Sequence, residues 1–155
     1  VDAVRWFLED VWPTVHREAP HITVRIVGSK MPESLKALAG PGIEILGFVA
    51  DLDPLLASSR MSIAPLRYGA GVKGKVNQAM AHGLPVVATQ AAVEGMFLKA
   101  GTEVLVAEDA QAFAQAVLQL DRDRALWETL AAGGKNNIER TFSREVARRA
   151  LQSVL

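Results

Sequence analysis

The residues best suited to chemistry form a glycine- and lysine-rich stretch near the middle of the chain, GAGVKGKVNQ (69–78). Glycine lets main-chain N–H groups approach an oxyanion closely, and the start of a following helix adds a favourable dipole worth about 0.3–1 kcal/mol. A charge-assisted hydrogen bond from Lys73 or Lys75 is worth more, about 1.5–3 kcal/mol. The stretch therefore predicts an anion site in which the glycines give access and the lysines supply most of the affinity.

The same stretch begins with the letters G-x-G-x-x-G, the pattern with which a glycine-rich turn binds the pyrophosphate of NAD or FAD. A dinucleotide site also requires the turn to follow its strand directly and an acidic residue to end the next strand. Here residues 66–69 intervene, and the next predicted strand ends at Thr89 without an acid. Glu94 follows at a suitable spacing, but it falls in a loop. These departures disfavour a dinucleotide site, and a solvated loop with two lysines stays open beside the general anion site.

Composition limits the classes of function open to the chain. Half of its 155 residues are apolar, and 17 Lys and Arg balance 17 Asp and Glu, so charge gives no case for nucleic acid or an anionic membrane as the main partner. The chain has no cysteine, which excludes disulfides, thiolate metal sites and cysteine nucleophiles and fits a cytoplasmic protein. We expect no metal site, because the three histidines fall near predicted helix ends and form no ligand set: His16, His21 and His82.

Short apolar runs alternate with helical patterns along the chain, which indicates βα units and a parallel sheet covered on both faces. The predicted strands are 22–28, 43–49, 61–66, 84–89 and 104–107. The predicted helices are 2–18 with an interruption at Pro13, 31–40, 51–59, 76–83, and several from Asp109 onward with a break at AGGKNN (132–137). The expected N-caps are Asp51, Asp109 and Ser143. We therefore predict one α/β domain, a doubly wound parallel sheet with a helical carboxyl terminus.

In a sheet of this kind, ligands bind beyond the carboxyl ends of the strands. Polar and glycine-rich residues follow four of the predicted strands, in the segments 28–29, 47–49, 65–75 and 89–95. We therefore expect the functional site at that edge.

The sequence from 47 to 95 resembles the carboxyl-terminal half of the GT-B glycosyltransferases of group 1, the GT4 family. The matching features are the turn at 47–49, the short helix after Asp51, Pro65 at the close of the third strand, the glycine–lysine loop, the run AMAHGLPVVAT (79–89) and Glu94-Gly95. The later run LVAEDAQAFAQAVLQL (105–120) also matches, so the resemblance covers essentially the whole chain.

In that family two Rossmann-like domains face each other across a cleft, and the second, which this chain resembles, binds the nucleotide-sugar donor. The resemblance implies a retaining transferase of polysaccharide biosynthesis that needs neither a metal nor another cofactor. It would move a hexosyl-type group from a UDP- or GDP-linked sugar to a saccharide or lipid-linked acceptor. Its partners would be the donor and its own amino-terminal acceptor domain. A peripheral membrane association through that domain is left open. Without that domain, the chain alone is expected to be inactive.

The resemblance also assigns roles to residues at two strand ends. Main-chain groups of the turn at Phe48 and Val49 would meet the base of the nucleotide. Gly28, at the end of the first predicted strand, is a further binding candidate at the same edge.

The diphosphate and ribose would lie at the glycine–lysine loop. Gly71 and Val72 would offer amides to the diphosphate, and Lys73 is a further binding candidate beside them. Lys75 would neutralise the charge of the diphosphate, and Gln78 would bond to the ribose. Lys75 and Gln78 are therefore the candidates for a catalytic role.

The chain departs from the family at two positions around this loop. Members commonly carry glutamates where this chain has Ala70 and Gln78. An amide can still hydrogen-bond a ribose hydroxyl, although more weakly than a carboxylate, whereas Ala70 cannot contact the sugar. Glu94 is a binding candidate that would compensate in part, and a solvated loop glutamate is an equal alternative. The missing glutamates leave open a non-catalytic module that binds nucleotide sugars, and a fragment of a dinucleotide-dependent oxidoreductase is a third alternative.

A further departure concerns the start of the chain. Family members have a strand before the first helix, and it lies centrally in the sheet order 3-2-1-4-5-6. This sequence opens inside that helix. We therefore expect five strands with a gap at the central position, and we expect the parent polypeptide to supply the missing strand upstream of Val1.

Overall fold

The computed structural model describes residues 1–69, 73–142 and 144–152. The strands are β1 (Val24–Val27), β2 (Ile43–Gly47), β3 (Ser62–Ala64), β4 (Val86–Ala88) and β5 (Leu105–Val106). The helices are α1 (Asp2–Trp6), α2 (Trp12–Glu18), α3 (Glu33–Lys36), α4 (Asp53–Ala57), α5 (Gly74–Ala81), α6 (Gln90–Val93), α7 (Ala110–Arg122), α8 (Arg124–Asn137) and α9 (Arg144–Gln152). Strands and helices alternate up to β5, after which the described chain is helical, as the sequence predicts.

The five strands form two parallel sheets rather than one. β1 pairs with β2, and β3, β4 and β5 pair in that order. The predicted parallel α/β fold is confirmed, and the expected division of its five strands is present.

A cavity of about 480 Å³ lies between the two sheets. Its lining includes strand residues from both sides: Val24, Arg25, Val27, Ser62 and Ile63. The amide of Val24 donates on the β2 side and that of Ser62 on the β4 side. Because backbone groups alternate in direction along a strand, those of Arg25, Val27 and Ile63 face the cavity. Among the described strands, β1 and β3 thus each have one unpaired edge, and these two edges face each other across the cavity.

Strand β4 lies at the centre of the core and is buried along its whole length. On one face, Val87 belongs to the same buried cluster as Phe113 of α7. On the other face, Val86 and Ala88 belong to a cluster with Met80 of α5. The larger sheet is therefore covered by helices on both faces, as its unbroken apolar sequence predicts.

The amino-terminal helical segment is interrupted next to Pro13, as expected. A π-helical turn (Phe7–Val11) separates α1 from α2, and Pro13 lies in the first turn of α2. Proline has no N–H to donate and tolerates the first turn of a helix, so the interruption falls just before it. The π-helical turn buries Phe7, Leu8 and Val11 in the core.

The helix starts match the predicted N-caps only in part. Asp109 caps α7 as predicted, since its Oδ1 accepts from the Ala112 amide at 2.8 Å. The prediction for Asp51 is wrong: its Oδ1 accepts from the Asp53 amide at 3.0 Å, and α4 begins at Asp53. Asp51 therefore forms a turn ahead of the helix rather than its cap. Ser143 lies outside the described residues.

The predicted break at 132–137 is also wrong, because α8 runs through it. A side chain at Gly133 would bring its Cβ to 2.1 Å from the Thr102 carbonyl oxygen, and one at Gly134 would lie 3.1 Å from Met80 Cγ. The two glycines thus allow α8 to pack closely rather than ending it. None of the helices in the described part of the chain has the length and apolar character of a membrane span.

Candidate functional site

The parallel strands end in two aligned rows. Val27 of β1 is in register with Gly47 of β2, and Ala88 of β4 is in register with both Ala64 of β3 and Val106 of β5. The segments that follow the strands of one sheet therefore emerge at the same edge. The predicted site segments lie at these edges.

At the end of the smaller sheet, the structure brings Gly28 to the turn at 47–49. The Gly28 amide donates to the Gly47 carbonyl oxygen at 2.8 Å. Gly47 has φ of 69°, a left-handed conformation that favours glycine and turns the chain sharply. Phe48 is 74% exposed and Val49 is half-buried, so this turn presents both its backbone and an aromatic side chain to solvent.

At the end of the larger sheet, the glycine–lysine loop leads into α5. Helix α5 begins at Gly74, two residues earlier than predicted, and the Lys73 carbonyl oxygen accepts from the Val76 amide at 3.0 Å. Among the described residues no side chain caps this helix start. The first amides of a helix have no partner within it, so they are available to a ligand or to the loop. Lys73 Nζ lies 3.3 Å from where a Cβ on Gly69 would be, so this side chain reaches back to Gly69.

Lys75 and Gln78 line the same cavity, the one that separates the two sheets. Residues three positions apart share one face of a helix, which explains why both reach this space. Lys75 is exposed and Gln78 is half-buried. Leu52, Leu55 and Leu56 supply apolar lining nearby. A cation and a neutral hydrogen-bonding group thus meet in a partly apolar cavity, an arrangement suited to a charged ligand with a polar ring beside it.

The predicted site residues fall in four places in the described structure. Lys75 and Gln78 share the cavity, whose described lining does not include the other candidates. Gly28, Phe48 and Val49 gather at the end of the smaller sheet. Glu94 is exposed at the end of α6, and Lys73 lies over Gly69. Ala70, Gly71 and Val72 lie outside the described residues.

Thr89 is a buried polar residue at this edge, in the expected site segment 89–95, for which the sequence predicts no individual role. It is 3% exposed, its hydroxyl donates to the Leu66 carbonyl oxygen, and its Oγ1 accepts from the Ala92 amide at 3.3 Å. Thr89 thereby caps α6, a short helix inside a segment predicted as loop. The only sequence signal for this role was the position of the threonine, at the end of an apolar strand and before a run of small residues.

The segment that follows β5 is also hydrogen-bonded to the start of α6. Glu108 Oε1 accepts from the Gln90 amide at 2.5 Å. The ends of all three strands of the larger sheet are thus connected around the start of α6, through Leu66, Thr89 and Glu108.

Glu103 is a buried carboxylate that lies in a loop away from the predicted site. It is 6% exposed and accepts from the Lys99 amide at 2.9 Å and from the Arg140 guanidinium at 3.0 Å. Burial raises the pKa of this carboxyl, but the two hydrogen bonds and the nearby charges of Arg140 and Lys99 outweigh it and hold the pKa below its usual 4.5. The ion pair fastens the loop before β5 to the chain after α8.

Two of the three histidines lie within hydrogen-bond distance of aspartates. His21 Nε2 lies 2.9 Å from Asp121 Oδ2, and His82 Nε2 lies 3.0 Å from Asp53 Oδ1. His16 stacks on a tryptophan ring, with 5.6 Å between the ring centroids. In the described part of the chain, no three histidine, cysteine or acidic side chains gather as a metal site would require.

Comparison with known proteins places this geometry in a family. The model of the family described as "Glycosyl transferases group 1" matches residues 1–123. A curated relative, an uncharacterized 44.6 kDa protein in the cps region of Klebsiella pneumoniae, is 25% identical over 146 residues. That match covers 88% of this chain and 38% of the relative, so the chain spans about two fifths of the length of this relative.

Solved structures of low sequence identity share the fold. HepE of Anabaena, in a crystal structure with UDP and glucose, superposes with a TM-score of 0.79 at 17% identity, over 93% of this chain and 43% of HepE. TarM of S. aureus superposes with a TM-score of 0.84 at 16% identity, over 98% of this chain and 32% of TarM. The carboxyl-terminal domain of LpcC, a group 1 family glycosyl transferase from Francisella tularensis, gives 0.73 at 18% identity, over 91% of this chain and 77% of that domain's chain.

The family model covers most of the chain, and it includes both strand ends and the whole of α5 where the predicted site residues lie. The protein belongs to the group 1 glycosyl transferases.

Proposed function

We propose that this chain is the nucleotide-sugar donor-binding domain of a retaining glycosyltransferase, which transfers a hexosyl-type group to a saccharide or lipid-linked acceptor. The observation that carries the proposal is the shared exposure of Lys75 and Gln78 to one cavity, on the first turns of α5. An ammonium group and an amide three positions apart suit a diphosphate joined to a ribose. The structures of HepE contain UDP and UDP-glucose, which makes UDP the first donor nucleotide to test, with GDP beside it.

The chemistry of the donor explains why a lysine is needed there. When the bond between the anomeric carbon and the diphosphate oxygen breaks, negative charge develops on the leaving diphosphate. The Lys75 ammonium and the positive end of α5 are fixed groups that stabilise this charge without a metal. Lys73, Gly71 and Val72 remain predicted contributors to the same diphosphate.

The other strand end suits the base of the nucleotide. The hydrogen bond between Gly28 and Gly47 fixes the turn, and its left-handed glycine turns the following backbone outward. Main-chain groups at Phe48 and Val49 are then available to the edge of a base. Because this contact uses backbone groups, it tolerates changes of the Phe48 side chain.

We also propose that in the parent polypeptide a β-strand supplied upstream of Val1 occupies the part of this cavity between β1 and β3, and that the part lined by Lys75 and Gln78 stays open to the donor. Backbone groups of Arg25 and Val27 on one side and of Ile63 on the other face this space. Buried backbone N–H and C=O groups are almost always paired, and an extended segment pairs with both edges at once. The same upstream polypeptide would carry the acceptor-binding domain, consistent with the chain spanning 38% of the Klebsiella relative.

Amide hydrogen exchange in this chain and in the longer parent polypeptide tests the strand. We expect the Arg25 and Ile63 amides to exchange rapidly in this chain and slowly in the longer one. The Val24 amide, which already bonds on the β2 side, is the internal control and changes little. Equal protection of Ile63 in both polypeptides would show that nothing inserts there.

A non-catalytic module that binds nucleotide sugars is the second candidate. Ala70 and Gln78 stand where relatives commonly have glutamates, and this observation favours it. The two candidates share a binding site and differ in turnover. The parent polypeptide with its amino-terminal domain should release sugar from a bound donor if the enzyme assignment is right, whereas stable binding without turnover with any saccharide or lipid-linked acceptor supports the module.

Calorimetric titration of this chain with UDP, GDP and NAD tests the shared part of both candidates. We expect a nucleoside diphosphate to bind and NAD to bind less tightly. A preference for NAD would overturn the donor-domain assignment and restore the dinucleotide interpretation of the glycine loop.

A further inference from the structure

We propose that Thr89 is a positioning residue for the donor site, whose buried hydroxyl fixes the loop that leads to the site lysines. The inference rests on the proposed function. Thr89 follows β4 directly; its backbone bonds to the last residue of β3 and its side chain bonds to the segment after β3. Its amide donates to the Ala64 carbonyl oxygen at 3.2 Å, and its hydroxyl donates to the Leu66 carbonyl oxygen two residues further on.

The contact with Leu66 lies just where the chain leaves the sheet. β3 ends at Ala64, and the loop from Pro65 leads to α5 and Lys75. The hydrogen bonds between strands stop where the strand ends, so the first residues of the loop need another partner to hold them in place. The hydroxyl of Thr89 supplies it from inside the core, because the residue is 3% exposed. Thr89 is therefore one anchor of the loop where it leaves the sheet, beside the Arg67–Asp2 ion pair one residue further on.

The same oxygen fixes a second loop. Thr89 Oγ1 accepts from the Ala92 amide at 3.3 Å, which caps α6, and Glu94 follows the last residue of α6. The neighbouring Gln90 amide is held by Glu108 at 2.5 Å. One hydroxyl, acting as donor to Leu66 and as acceptor from Ala92, thus couples the loop that carries the lysines to the loop that carries Glu94.

The chemistry of this coupling requires a hydroxyl group rather than a particular shape. Serine keeps the donor and the acceptor, whereas valine keeps the shape of threonine and has neither. Thr89→Val leaves the half-buried Leu66 carbonyl without this partner and leaves the buried Ala92 amide with only its bond to the Thr89 carbonyl oxygen, so both loops are held less firmly. Thr89→Ser retains both bonds.

The experiment measures the UDP dissociation constant of the wild-type chain and of Thr89→Ser, Thr89→Val and Val87→Ala. Val87 lies on the preceding strand β4 and is fully buried in one core cluster, whereas Leu66 and Ala92 pack with the other cluster, so its alanine variant reports the effect of a weakened core. We expect Thr89→Ser to bind UDP within about two-fold of wild type, Thr89→Val to bind at least ten-fold more weakly, and Val87→Ala to bind normally below its melting temperature. Amide exchange should accelerate at residues 67–69 in Thr89→Val and stay unchanged there in Val87→Ala.

The outcomes separate the inference from the proposed function. If wild type binds UDP and Thr89→Val binds it equally well, Thr89 has no positioning role, although the donor site stands. If Val87→Ala loses as much affinity as Thr89→Val, the effect belongs to core stability and the inference is overturned. If wild type binds neither UDP nor GDP, the proposed function fails, and the role of Thr89 in a donor site fails with it.

Discussion

Lys75 and Gln78 lie three positions apart on α5, and both line the cavity between the two parallel sheets. This relationship places an ammonium group beside an amide on one helix face, next to a helix start that no described side chain caps. The pairing matters because the two groups suit different parts of one ligand. A diphosphate needs the cation, and a ribose needs the neutral hydrogen-bonding group.

Replacing Lys75 by alanine should weaken nucleoside diphosphate binding by about ten- to a hundred-fold, since a charge-assisted hydrogen bond contributes about 1.5–3 kcal/mol. The wild-type affinity should also fall more steeply with added salt than that of the variant, because the contact is between charges. Titration calorimetry at two salt concentrations measures both effects. Lys135→Ala, which removes an exposed lysine from α8, is the matched control and should bind as wild type does. If both variants lost the same affinity for the nucleoside diphosphate, the effect would come from the net charge of the protein and not from a contact with Lys75.

Gln78 should act on the ribose rather than on the phosphates. Gln78→Ala is expected to weaken UDP binding by about two- to ten-fold, the range for a neutral hydrogen bond of about 0.5–1.5 kcal/mol. Gln78→Glu introduces the acid that the family resemblance implies at this position and should bind UDP at least as well as Gln78→Ala. UDP analogues that lack either the 2′- or the 3′-hydroxyl group identify the contact. For the analogue that lacks the hydroxyl bound by Gln78, wild type and Gln78→Ala should have the same affinity. If wild type binds both analogues more tightly than Gln78→Ala does, Gln78 does not contact the ribose.

The Glu103–Arg140 ion pair should make stability depend on pH in a defined direction. The folded state lowers the pKa of the Glu103 carboxyl from its usual 4.5, so the stabilisation is fully present above about that pH and is lost as the pH falls through the lower folded pKa. Glu103→Gln should therefore reduce the free energy of unfolding by about 1–3 kcal/mol at pH 7, and the difference from wild type should shrink below pH 4. Urea unfolding at several pH values measures it.

The exposed Glu139 on the chain after α8 provides the control, and Glu139→Gln should leave the unfolding curve nearly unchanged at every pH. A gap between wild type and Glu103→Gln that stays constant from pH 7 to pH 3 would contradict the assignment of charge as its cause.

The paired glycines in α8 should respond differently to alanine. At Gly133 a Cβ would meet the Thr102 carbonyl oxygen at 2.1 Å, and backbone cannot move aside cheaply, so Gly133→Ala should cost about 2 kcal/mol or more. At Gly134 the neighbour is the flexible side chain of Met80 at 3.1 Å, and alanine gains about 1 kcal/mol of helix propensity. Gly134→Ala should therefore stay within about 1 kcal/mol of wild type. Thermal unfolding of both variants decides it, and equal melting temperatures would contradict the close packing at Gly133.

These glycines also show which features could be predicted from the sequence. A glycine pair in a polar run predicts a helix break, because glycine is a poor helix former. The close approach of α8 to Thr102 joins residues far apart in the chain, and no local pattern reports it. By contrast, Pro13 acts through its own missing N–H, so the interruption of the first helix was predictable.

The site shows the same division between local and distant effects. The glycine–lysine loop before a helix made Lys75 and Gln78 candidates, and helix spacing explains their common face. The role inferred for Thr89 depends on a bond to Leu66 across two strands. The sequence presents this residue only as the end of an apolar run.

The most direct test of the donor site is a titration of the isotope-labelled chain with UDP, followed by amide chemical shifts. The diphosphate is predicted to lie at the start of α5, so the largest shifts should fall on Gly74, Lys75 and Gln78, with a second group at Phe48 and Val49 from the base. Lys75→Ala should abolish the first group at the same UDP concentration. Saturable binding of UDP that leaves the amides of residues 73–78 unmoved would contradict the account.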